Sequence, residues 1–161
     1  MDEEQLRSAL DDVFDHALVH HAFTPYTRDY EVIVYVTADP VTGIPPVHLR
    51  YLFTHCVEAD VRSELPVETW RASLDERLID HATGQDLDGF VWGVNWQELY
   101  PGMTVVSPSS RTQRWADGVG IDFHEVRIET NSQLITLVFS GLVVTEVPPG
   151  YAPFTVPTGT T

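Results

Sequence analysis

The chain has 161 residues and sets 24 acidic side chains against nine basic ones, every one an arginine, for a formal net charge of −15. That balance opposes binding to nucleic acid or an anionic membrane surface, and it suits a soluble acidic protein toward which a basic protein partner would be steered. A single cysteine, Cys56, cannot pair within the chain; the N-terminus is acidic where a signal peptide would be basic, and no apolar run approaches the ~20 residues of a membrane span. The expected setting is therefore the cytoplasm.

Residues 2–18 read as an amphipathic helix, with Asp2 able to cap, Glu3 and Glu4 in the first turn, and Leu6, Leu10, Val13, Phe14 and Ala17 on one stripe. Pro25 would stop any continuation. Residues 28–37 and 47–57 are rich in β-branched and aromatic side chains and flank the turn-forming stretch 38–46, so they are expected to form an antiparallel hairpin. Residues 67–72 fit a short strand or a helical lead-in. A second helix is expected from Ser73, which has Glu76 three residues on as a capping box, to the stop at Thr83-Gly84.

The stretch Asp86 to Tyr100 places Phe90, Trp92, Val94 and Trp96 at period two, which on a strand makes one broad apolar face expected to anchor the core. Pro101-Gly102 reads as a turn and Met103 to Val106 as a short strand. A third helix is expected near Ser110, with Gln113 as its capping partner and Gly118 as its end. Residues 121–130 and 133–147 read as two strands around Asn131-Ser132, the second interrupted by a bulge at Ser140-Gly141. The segment 148–161 contains four prolines and no period, so it should lack structure of its own unless something docks it. The organisation expected is one α+β domain over 1–147 with a flexible proline-rich tail over 148–161. Its antiparallel sheet would have about five to six strands built from hairpins, with about three helices.

The segments Asp86 to Gly102, Gly120 to Asn131 and Leu137 to Val147, together with Ser73 to Asp80, resemble the YxiG-like bacterial proteins, over about residues 28–147. The resemblance implies a bacterial cytoplasmic domain, with relatives placed near contact-dependent toxin genes and hence a role of immunity or interaction type. It carries over no catalytic residue.

Three constellations invite chemistry. Asp12, His16 and His20 lie four apart and would share one helical face as metal ligands could, but a structural site takes four protein ligands and no second pair is identifiable. A solvated helix end is the simpler reading, with no metal and no cofactor. Asp88, Asp122 and His124 could converge as base and orienter, although loop aspartates and a core histidine are the plainer account. His55 and Cys56 are adjacent on a strand and point to opposite faces, so they make no nucleophile–base pair. The sequence thus points to a non-enzymatic acidic interaction protein. The alternative is a small-ligand binder or enzyme with a polar pocket on the sheet.

Overall fold

The structure, a computed structural model, describes residues 1–13, 16–36, 43, 45–72, 74, 97–106 and 108–159. The predicted Phe90–Trp96 anchor and, apart from Leu74, the helix from Ser73 to Gly84 therefore lie outside the described residues, as does Phe14.

The chain opens with helix α1 (Glu3–Leu10), started by a capping box in which Asp2 Oδ1 accepts from Gln5 N at 2.8 Å and Gln5 Oε1 accepts from Asp2 N at 3.1 Å. A 3₁₀ turn (Asp11–Val13) follows and then strand β1 (Ala17–Phe23), so the helix expected to reach residue 18 stops eight residues short. The apolar residues of 17–23 satisfy a helical period, but every residue of this stretch except Val19 is paired with β2. Tertiary pairing overrides local pattern here. Strands β2 (Tyr30–Val36), β3 (Val47–Thr54) and β4 (Glu58–Ser63) come next, then helix α2 (Val67–Ala72), β5 (Gln97–Val105), helix α3 (Ser110–Val119), and β6 (His124–Thr130), β7 (Gln133–Phe139) and β8 (Gly141–Val147).

The expected hairpins are present: β2 pairs β3 from Tyr30↔Phe53 to Val36↔Val47, and β6 pairs β7 from His124↔Phe139 to Glu129↔Leu134. The α+β class with one antiparallel sheet and three helices among the described residues is correct. The strand count is not. Among the described residues the sheet has eight strands in the order β4-β7-β6-β5-β1-β2-β3-β8, against the five to six expected. β1 had the pattern of a helix, β4 follows β3 after a three-residue corner, and 133–147 is two strands that part at Ser140 and not one bulged strand.

That corner closes the sheet on itself. β3 runs alongside β8 from His48↔Val147 to Thr54↔Gly141, and β4 continues alongside β7 from Glu58↔Val138 to Ser63↔Gln133. Ser140 N donates to Thr54 O (2.9 Å) and Val57 N to Val138 O (2.8 Å), which carries the pairing through the bend. The half β1-β2-β3-β8 and the half β4-β7-β6-β5 are thus joined on one flank by two continuous chains. On the other flank they are joined by the short pairing of Ala17↔Glu98 and Leu18↔Gln97. Their inner faces make one core at period two: Tyr30, Val32 and Val34, then Tyr51 and Phe53, Val126 and Ile128, and Ile135, Leu137 and Phe139. Leu6, Leu10 and Val13 join this core from α1 and its 3₁₀ turn, packed beside β5.

Two local expectations shift. Pro101-Gly102 is not a turn but an irregularity within β5, where the register with β6 slips between Leu99 and Gly102 and Gly102 takes φ 109, a conformation that favours glycine. Helix α3 is capped by Ser109 with Thr112, one residue earlier than Ser110 with Gln113. It ends at Gly120, whose left-handed backbone lets its N–H reach Ala116 O at 2.8 Å, and not at Gly118. Among the described residues no helix is long and apolar enough to cross a membrane.

Phe53 and Phe139 meet edge to face at the corner, centroids 4.8 Å apart, and both are fully buried. Phe139→Ala and Phe53→Ala should each lower stability by about 3–5 kcal/mol in urea unfolding followed by circular dichroism. Because the rings touch, the double variant should lose less than the sum of the two. A loss below about 1 kcal/mol for either would place the core elsewhere.

Candidate functional site

Among the described residues, polar side chains gather on the outer face of β2, at the seam of β1 and β5, and at the end of β5, β6 and β7. Glu31 is only 2 % exposed, although it points away from the core, because the C-terminal segment crosses over it. Glu31 Oε2 accepts from Arg50 Nε at 2.7 Å and from the Tyr151 hydroxyl at 2.8 Å, and Oε1 lies 3.8 Å from His20 Nε2. A buried carboxylate needs such partners to stay charged. Burial, and then donation to Glu31, holds the Tyr151 hydroxyl above the usual phenol range. Beside this cluster, His20, Ile33, His48, residues 147–151 and Pro153 line a cavity of about 220 Å³. The described residues of the tail, 148–159, thus form neither helix nor strand, yet they are docked through Tyr151.

The second place is the seam where β1 meets β5. His21 Nδ1 lies 2.7 Å from the Tyr30 hydroxyl, and its Nε2 lies 3.2 Å from Gln133 Oε1, which also accepts from Gln97 Nε2 at 3.1 Å. Gln97 Oε1 in turn accepts from the Thr130 and Ser132 hydroxyls at 2.6 and 2.7 Å. With Gln133 Oε1 as acceptor, His21 carries its proton on Nε2 and accepts from Tyr30 on Nδ1. Burial lowers the His21 pKa from 6.5 and pushes the Tyr30 hydroxyl up to about 12.

The third is a groove of about 260 Å³ at the end of β5, β6 and β7, whose walls include Glu64, Tyr100, Arg127, Glu129 and Gln133. Tyr100 is 62 % exposed, and Glu64 and Glu98 are exposed nearby, tied to the β6–β7 turn through Glu64 N to Ser132 O (2.9 Å) and Asn131 N to Glu98 O (3.0 Å). A guanidinium or ammonium could lie over this ring between carboxylates.

The YxiG-like protein family matches residues 2–157, nearly the whole chain. The chain belongs to the YxiG-like family. No curated protein matches it. The family match takes in α1 and most of the tail, both of which lie outside the span 28–147 over which the resemblance was read.

In this YxiG-like protein the residues singled out from sequence fall as follows. Asp12 is in the 3₁₀ turn, His16 precedes β1 and His20 is in β1, so they do not share a helical face. His16 O instead accepts from Leu99 N at 2.8 Å, and His20 faces Glu31. Among the described residues no group of three or more His, Cys, Asp or Glu could hold a metal ion. Asp122 is exposed in the loop after α3, whereas His124 is buried on β6 with its ring 5.9 Å from that of Phe139. Asp88 lies outside the described residues. His55 sits at the β3–β4 corner with φ 48, and Cys56 Sγ donates to Glu58 O at 3.3 Å; burial pushes its thiol up to about 12.

No spacing in the sequence marks Glu31, Arg50 and Tyr151 as a cluster. A glutamate within the β-branched run 30–36 was a usable signal, since an acid in a strand of that kind needs a partner when buried.

Two expectations follow. Tyr151→Phe removes a hydrogen bond to a buried carboxylate and should cost about 1.5–3 kcal/mol, with earlier proteolytic clipping of residues 148–159; unchanged stability and clipping would show the tail to be undocked. Burial lowers the His21 pKa in the fold, so between the folded and unfolded values it is the unfolded chain that binds the extra proton. Stability should therefore decline as the pH falls from 6.5 toward the lower folded value, and His21→Gln should flatten that decline in denaturation curves taken between pH 7 and 5.

Proposed function

We propose that this YxiG-like protein is a non-enzymatic interaction protein of the bacterial cytoplasm whose acidic surface receives a basic protein partner. The observation that carries the reading is how its positive charge is used. Of the eight described arginines, six have a guanidinium nitrogen within 4 Å of a carboxylate of the same chain: Arg7, Arg28, Arg50, Arg62, Arg114 and Arg127. Exposed carboxylates such as Glu64, Glu68, Glu98, Asp122 and Glu146 have no cationic partner among the described residues. The unbalanced field is therefore negative and faces outward, the arrangement that raises the encounter rate with a cationic surface.

The groove beside Tyr100 is where such a partner would dock. It combines an exposed aromatic ring with carboxylates, and Trp70, 46 % exposed and bonded through Nε1 to Ser63 Oγ at 2.9 Å, adds a second ring on the neighbouring helix. Tyrosine and tryptophan are enriched among the few residues that dominate binding energy once buried at a protein interface. A role in neutralising a basic toxin is the form of the reading that the family resemblance favours.

The test is affinity capture from the source bacterium at low salt, followed by association kinetics with the partner recovered. The association rate should drop roughly tenfold or more between low and physiological ionic strength. A Glu64→Gln/Glu98→Gln variant should slow association several-fold, and Tyr100→Ala should speed dissociation. A partner that binds with no salt dependence and ignores all three changes would sink the proposal.

A further inference from the structure

We propose that the cavity between β4, β6, β7 and the first turn of α3 is a binding site for a small phosphate monoester. This cavity, about 310 Å³, lies on the outer face of the sheet, and three arginines are among the residues that line it: Arg62 from β4, Arg127 from β6 and Arg111 from α3. A third of the arginines in a chain of net charge −15 thus meet at one place.

The acids in the same walls are already engaged. Asp60 accepts from Arg62 Nη2 at 3.1 Å, and the buried Glu125 accepts from Ser109 Oγ at 2.5 Å. Arg127 is held by Glu129, 3.3 Å away and outside this cavity. Arg111 differs from them. It is half-buried, and among the described residues no carboxylate lies within 4 Å of it, although the chain gives such a partner to six other arginines. It also stands in the first turn of α3, where the partial positive charge of the helix end disfavours a cation. A cation kept without a carboxylate partner in that position, lining one volume with two other arginines, would be compensated by an anion from outside.

Phosphate fits this donor set better than carboxylate does. Guanidinium groups from three separate elements offer more N–H donors, in more directions, than a planar carboxylate can use, whereas a tetrahedral dianion accepts from all three. Phosphate alone leaves much of the cavity unfilled. The Thr136 hydroxyl and the remaining lone pairs of Asp60 and Glu125 would meet hydroxyl groups on the body of the ligand. The negative field of the whole protein slows approach of an anion, but it is screened beyond about 8 Å at physiological salt, so the local guanidinium groups decide affinity.

Calorimetric titration with inorganic phosphate and with glycerol 3-phosphate, at constant ionic strength held with sodium chloride, tests the site. One saturable site is expected, tighter for glycerol 3-phosphate than for phosphate. Affinity should fall about tenfold or more in Arg111→Gln and in Arg62→Gln, each checked for an unchanged circular dichroism spectrum. Arg114→Gln, on the same helix but outside the cavity, should bind as the parent does. Absence of saturation with glycerol 3-phosphate, equal response to sodium chloride alone, or undiminished binding by a folded Arg111→Gln would each overturn the proposal.

Discussion

The structure depends on the corner at which β3 passes into β4 and β7 passes into β8. Two chains bend there together and keep their backbone pairing through the bend, so a sheet of eight strands curls back on itself without a separate connecting element. Gly141 suits the close approach at this point, because a Cβ there would come within 2.6 Å of Thr54 Oγ1 and the hydroxyl would have to turn away. Inside the bend the Phe53 and Phe139 rings fill the space between the two halves. Every inward side chain of the core is placed by that closure, and so is the outward position of the charged face on β4, β6 and β7.

The opposite flank is joined differently, since β1 and β5 share only two residue pairs. The side-chain chain from Tyr30 through His21, Gln133 and Gln97 to Thr130 and Ser132 continues the connection beyond the backbone ladder. A fully satisfied polar network of this kind holds strands in register in a way that apolar contacts, being non-directional, do not. The same economy of polar groups explains the tail. Tyr151 and Arg50 let Glu31 remain on an outward position beneath residues 148–153 without an unpaired charge.

Charge is distributed with equal order. Most of the arginines serve carboxylates of their own chain, which leaves exposed acids such as Glu64 and Glu98 without a cationic partner among the described residues. The cavity around Arg111, which neighbours the Tyr100 groove, has the opposite local character. The two volumes share Arg127 and Leu134, so they lie side by side on one face, and a ligand in one would touch the wall of the other.

The sequence by itself determined the α+β class, the two hairpins and the capped start of α1, because these rest on period-two alternation, turn residues and a local capping box that neighbours in the chain can satisfy. Net charge was legible in the same way. Only the tertiary structure decided that 17–23 is a strand, since its apolar residues fit either period until β2 is there to pair with them. It also decided that 47–63 and 133–147 are each two strands, because the bend answers to partners about 80 residues away in the chain and not to local pattern. The candidate sites were hidden for the same reason. Glu31, Arg50 and Tyr151 are far apart in sequence, as are Arg62, Arg111 and Arg127, and no spacing rule connects residues that only sheet closure brings together.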